Sequence, residues 1–116
     1  RFLVSYDHDI NFKNKFRMYG TKTHEIKIAE DWGKVDFTDY KWSVALIDQG
    51  PADQRIVTIR KLIDVEFLVL HDTQERAEYE YHYSEIYPLF KYKFDYKKFG
   101  THTTVLSNVR EFPWQP

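Results

Sequence analysis

Acidic residues close three apolar runs of this chain. Asp7 follows Phe2-Leu3-Val4-Ser5-Tyr6, Asp48 follows Trp42 to Ile47, and His71-Asp72 follows Phe67-Leu68-Val69-Leu70. Carboxylates at adjacent strand ends, as Asp48 and Asp72 would be, can hold a hard divalent cation through oxygen, the ligand that Mg²⁺ prefers. An imidazole has an ordinary pKa near neutral, which makes His71 a candidate general base. A carboxylate that ends a strand, such as Asp7, can accept both hydroxyls of a ribose, because it offers two acceptors on one rigid group. Each residue also has a purely structural role open to it. Asp7 can cap a turn or helix, Asp48 can cap the helix that begins near Ala52, and Asp72 can form a turn with Thr73 or Gln74. His71 can be structural as well. Arg55 can clamp an acidic group of a substrate or pair with Asp48 or Asp72.

These residues need a scaffold, and hydrophobic patterning supplies one. Phe2 to Tyr6 reads as a buried strand, and Asp9 as the N-cap of a short helix with Phe12 and Phe16 on one face, ended at Gly20. His24 to Ala29 alternates as a strand, and 30–40 reads as loop. Trp42 to Ile47 is a second apolar strand, halted by Asp48-Gln49-Gly50-Pro51. Ala52, Ile56, Ile59 and Ile63 then recur at helical spacing. Phe67 to Leu70 is a third apolar strand. Uninterrupted apolar strands separated by helices predict a Rossmann-like, mostly parallel sheet with helices on both faces. Ligands of such sheets bind beyond the carboxyl ends of the strands, where Asp7, Asp48 and Asp72 would gather.

The last third has a different period. Nine aromatics lie between Tyr79 and Phe99, and Phe90, Tyr92, Phe94 and Tyr96 alternate with Lys91, Lys93, Asp95 and Lys97. That period of two, with the β-branched run 102–107 beyond Gly100, predicts a C-terminal antiparallel hairpin. Phe90 and Phe94 should be well buried and the lysines exposed. Aromatics with lysines invite an RNA-binding reading. Alternation opposes it, since the two kinds of side chain point to opposite faces.

Composition narrows the classes further. The 116 residues are 42% hydrophobic and 30% charged, with net charge -1, which suits one globular domain and gives no electrostatic footprint for nucleic acid. No apolar run approaches the roughly 18 residues of a membrane helix. With no cysteine there is no disulfide and no thiolate chemistry, which is compatible with a cytoplasmic protein. No P-loop, G-x-S-x-G, H-E-x-x-H or EF-hand pattern is present.

Several segments together resemble class I S-adenosylmethionine-dependent methyltransferases. Val44-Ala45-Leu46-Ile47-Asp48-Gln49-Gly50-Pro51-Ala52-Asp53-Gln54-Arg55 resembles the segment after that family's fourth strand, and Phe67 to Thr73 its next strand. Phe90 to Tyr96 with Thr103 to Asn108 resembles its closing hairpin, and Leu3 to Asp7 its second strand. The resemblance implies methyl transfer to a small-molecule acceptor. It assigns S-adenosylmethionine to Asp7, with Asp31 and Trp32 near the adenine, although Trp32 reads equally as a core aromatic. It also implies Mg²⁺ on Asp48 and Asp72, orienting an acceptor hydroxyl, with His71 as catalytic base. The family's first strand and glycine-rich loop have no counterpart here. That implies a domain incomplete at its N-terminus, completed by an upstream segment or another chain, or else a non-catalytic binding or structural module. Gln49 stands where one branch of the family carries His.

Overall fold

The computed structural model describes residues 2–11 and 21–113. The chain divides into two compact units, Arg1–Val35 and Asp36–Pro116.

In the first unit, β1 (Leu3–Asp7) and β2 (His24–Ile28) pair in parallel, with Ser5 opposite Ile26. The Ser5 hydroxyl and the His24 imidazole lie 2.8 Å apart across the pair. Where the chain leaves β1, two carboxylates in succession accept backbone N–H groups: Asp7 from Asp9 and Asp9 from Asn11, each at 2.8 Å. Asp9 thus makes the bond expected of a helix cap. The expected helical face of Phe12 and Phe16, with its end at Gly20, lies outside the described residues. After β2, Asp31 accepts the Gly33 N–H at 2.9 Å and caps a 3₁₀ turn over Trp32–Lys34.

In the second unit, four strands form one sheet in the order β3-β4-β6-β5. These are β3 (Val44–Ile47), β4 (Phe67–His71), β5 (Tyr92–Tyr96) and β6 (Thr103–Ser107). β3 and β4 run parallel, which requires a crossover. Helix α1 (Arg55–Lys61) supplies it, preceded by a 3₁₀ turn at Ala52–Gln54 that follows a cis peptide between Gly50 and Pro51. Between β4 and β5 come three 3₁₀ turns and the four-residue helix α2 (Glu78–Tyr81). On one face of the sheet Ile47, Leu68, Leu70, Thr104 and Leu106 are buried, and Ile59, Leu62, Tyr83 and Ile86 are buried with them. This is the core that holds the ends of β3 and β4 in place.

The Rossmann-like expectation is corrected here. The strands fall near their expected positions, but they form a two-stranded parallel sheet and a four-stranded mixed one. β6 runs antiparallel to both its neighbours, and helices among the described residues are few and short. The reading failed on β3. An apolar run such as Trp42 to Ile47 predicts cover on both faces, yet Val44 and Leu46 are 58% and 66% exposed. An apolar run specifies a strand; it does not specify what lies on each side of it.

The hairpin forms with Phe94 opposite Val105 and Tyr92 opposite Ser107. Phe90 and Phe94 are half-buried rather than well buried. β5 is an edge strand, and Phe112 is the aromatic that reaches its face, 6.4 Å from Tyr92 and 6.5 Å from Phe94 between ring centroids. Lys91, Lys93 and Lys97 are exposed, but the register sets Lys93 opposite Leu106 on the core face and Phe94 opposite Val105 on the other, the reverse of the expected facing. Such lysines also hinder edge-to-edge pairing. Ser107 and Asn108 lock the far end. Ser107 Oγ donates to Glu66 O at 2.6 Å, and the Asn108 amide bonds to Ile63 O, Leu89 O and Lys91 N.

Candidate functional site

The parallel pairing of β3 and β4 sets Ile47 opposite Leu70, so the residues that follow, Asp48 and His71-Asp72, emerge at one end of the sheet. One ligand atom from each of Asp48, His71 and Asp72 lies within 4.8 Å of the others. The three sequence candidates of the second unit therefore meet. Asp72 sits in the left-handed region at φ 59°. Aspartate tolerates that conformation better than most residues. The next residue, Thr73, anchors the turn through its N–H to His102 O at 3.0 Å.

Arg55 organises this corner from below. It is only 5% exposed, at the first position of α1. Its Nε donates to Gln49 O at 2.9 Å, and Nη1 donates to His71 O at 3.1 Å and to the Tyr83 hydroxyl at 2.9 Å. Nη2 donates to Asp48 Oδ1 at 3.2 Å, while Nη1 stands 3.8 Å from Asp72 Oδ2. The guanidinium also lies over the Tyr81 ring, 4.1 Å from its centroid. The pairing of Arg55 with both carboxylates is thus realised. Burial pulls the Arg55 pKa down, but the Tyr83 hydroxyl and nearby charges outweigh it and the net shift is upward, so the side chain stays charged. Two carboxylates and one guanidinium leave one net negative charge when His71 is neutral.

The aromatic wall escaped the sequence reading. Tyr83 donates to His71 O at 2.8 Å and is buried, and burial pushes its phenol up to about 12. Burial likewise raises the Tyr81 phenol, whose hydroxyl is 3.5 Å from Asp72 Oδ2. Neither is a base at neutral pH. The segment 79–83, Tyr-Glu-Tyr-His-Tyr, carries one signal for this in the sequence, alternate tyrosines of which the last stands twelve residues beyond His71. Gln49 uses its amide on the scaffold, donating to Thr58 Oγ1 at 2.6 Å and so tying the loop to α1. Pro51, not Asp48, occupies the N-cap position of the turn before α1. Asp48 is exposed and faces Arg55. His71 Nε2 stands 3.3 Å from Asp72 Oδ1, a geometry that orients the imidazole.

In the first unit, Asp7 is the last residue of β1, paired with Ile28, and Asp31 lies three residues beyond the end of the parallel strand β2. One oxygen of each already accepts a backbone N–H two residues on. Trp32 is 4% exposed, as a core aromatic is.

The donor set suits a divalent ion. Ligands on opposite sides of an ion lie about 4.2 Å apart with Mg²⁺-like bonds and about 4.8 Å apart with Ca²⁺-like bonds. Two carboxylates with one imidazole, two of the three residues half-buried, leave room for an ion that keeps several waters. Among the described residues no helix is long and apolar enough to cross a membrane. No protein-family model, curated protein or solved structure matches the chain.

Proposed function

We propose that the chain is part of an S-adenosylmethionine-dependent methyltransferase acting on a hydroxyl-bearing small molecule, with its acceptor chemistry at the Asp48–His71–Asp72 corner. The observation that carries this reading is the convergence of those three side chains within 4.8 Å at the carboxyl ends of two parallel strands. S-adenosylmethionine supplies the electrophilic methyl group. Asp48 and Asp72 would hold the cation, which would supply acidification of the acceptor hydroxyl. His71, oriented by Asp72, takes the hydroxyl proton as the oxygen becomes a nucleophile. The resemblance assigns Asp7 and Asp31 to S-adenosylmethionine.

The test is calorimetric titration with S-adenosylmethionine, on the protein with the upstream segment that the resemblance implies, unchanged and as Asp7→Ala. Loss of charge-assisted hydrogen bonds should weaken donor binding about 10- to 150-fold. Equal affinity in the two proteins removes Asp7 from the donor site, and donor binding absent from both removes the methyltransferase reading. One set of contacts favours a second reading, a non-catalytic binding or structural module. Asp48 already has Arg55 at 3.2 Å, and Asp7 and Asp31 already bond to their own backbone. A folded chain that binds neither the donor nor Mg²⁺ would favour that module.

A further inference from the structure

We propose that Arg55 is the positioning residue of the cation corner: without touching the ion, its buried guanidinium fixes where the two carboxylates stand. This rests on the cation reading above and goes beyond it by assigning the residue on which the site's geometry depends.

Charge alone makes Arg55 unfavourable to a bound cation, since a guanidinium 3.2 Å from one carboxylate and 3.8 Å from the other repels a divalent ion placed between them. Geometry makes it favourable. Arg55 bonds to the carbonyls of Gln49 and His71, the residues adjoining Asp48 and Asp72 in sequence. It therefore holds the backbone beside each ligand as well as the Asp48 carboxylate itself. Asp48 and Asp72 end different strands and repel each other when no cation lies between them. A buried positive charge that reaches both keeps them together in advance of the ion. Arg55 is itself held on two sides, by the Tyr81 ring at 4.1 Å and by the Tyr83 hydroxyl at 2.9 Å. A planar fork with five donors can make these contacts at once, whereas a lysine ammonium cannot.

The two effects predict opposite signs, which makes the proposal testable. Mn²⁺ is the probe, titrated calorimetrically into the unchanged chain, Arg55→Met, Arg55→Lys, Tyr83→Phe and Asp48→Asn, with near-ultraviolet circular dichroism as the check on folding. Positioning predicts that Arg55→Met weakens Mn²⁺ binding about 10- to 100-fold, the usual cost of losing an outer-shell partner, although a repelling charge has been removed. Arg55→Lys keeps the charge and should fail to restore affinity. Tyr83→Phe keeps Arg55 and its charge but removes one of its restraints, and should weaken binding about 10-fold. If Arg55→Met does not fold, Arg55→Lys and Tyr83→Phe decide the matter. Binding as tight as the parent's, or tighter, in folded Arg55→Met overturns the proposal and leaves the cation reading standing. So does parental affinity in both Arg55→Lys and Tyr83→Phe. An unchanged chain that takes up no Mn²⁺, or takes it up equally after Asp48→Asn, overturns the cation reading, and this proposal with it.

Discussion

Asn108 should be among the most costly polar residues of the second unit to lose, and the cost should depend on chemistry rather than on size. Its Oδ1 accepts the Lys91 N–H at 2.8 Å, while Nδ2 donates to Leu89 O at 2.9 Å and Ile63 O at 3.2 Å. One amide thus joins the end of β6 to the entry of β5, to the turn before it and to the segment after α1. Three hydrogen bonds at a net value of about 0.5–1.5 kcal/mol each give roughly 1.5–4.5 kcal/mol. Water can reach part of this site and should solvate the stranded groups, so the lower half of that range is expected, about 1.5–3 kcal/mol for Asn108→Ala. Asn108→Asp is the sharper perturbation. It preserves shape and the acceptor for Lys91, but it turns a carboxylate oxygen towards two carbonyl oxygens where an amide donated to both. It should therefore cost at least as much as alanine at neutral pH and partly recover on protonation. Urea denaturation followed by tryptophan fluorescence measures both, with the midpoint reporting stability and the slope reporting any change in surface exposed. Asn108→Asp with the parental midpoint at pH 7 would refute the reasoning, because the amide donors would then contribute nothing.

Two other consequences can be checked on the same apparatus. Phe94→Ala should cost about 1.5–3 kcal/mol, below the roughly 3–5 kcal/mol of a fully buried phenylalanine, because Phe94 is half-buried on an edge strand; a loss within the full range would mean that its face is covered more completely than Phe112 allows. Burial pushes the Tyr87 phenol up to about 12 from an ordinary 10.0, so the native state holds a proton that the unfolded chain releases first. Stability from this group is intact below pH 10 and is lost as pH rises towards 12. Tyr87→Phe should flatten the fall of the urea midpoint between pH 10 and 12, and an unaltered profile would show that Tyr87 is not buried in solution.

What was legible in the sequence was local. Each apolar run stopped by a carboxylate became a strand, because uncharged β-branched and aliphatic residues leave the backbone little alternative. The period of two from Phe90 to Lys97 said which side chains of β5 share a face, and Gly100 followed by the β-branched run gave its antiparallel partner β6. The meeting of Asp48 with Asp72 followed from strand adjacency alone. What was not legible depended on contacts distant in sequence. Nothing local in Arg55 says that it will be buried, since its partners lie at residues 48, 49, 71, 72 and 83 and only the folded sheet brings them within 4 Å. The same holds for Tyr83, whose hydroxyl serves a carbonyl twelve residues back.

The Rossmann-like error and the corner share one physical root. In a parallel pair both strands deliver their carboxyl ends to the same edge, so β3 and β4 suffice to bring Asp48, His71 and Asp72 together, whatever the rest of the sheet does. Inferring a whole doubly covered parallel sheet from that pair went further than the pair requires. The antiparallel strand β6 lies beside β4 without disturbing the corner, because Leu70 and His71 still pair in register with Thr104 and Thr103. Thr104, on the core face of the sheet, in turn donates to Asp95 Oδ1 at 2.6 Å and so ties β6 to β5. Burial raises the Asp95 pKa, but hydrogen bonds from Thr104 and Lys93 outweigh it and hold the carboxyl below its ordinary value of 3.8. The stabilisation that Asp95 provides is therefore present above the ordinary value and fades only as acid drives the pH through the lowered one. Asp95 thus stays ionised above its ordinary value, so the bond that Thr104 donates to it persists across the neutral range.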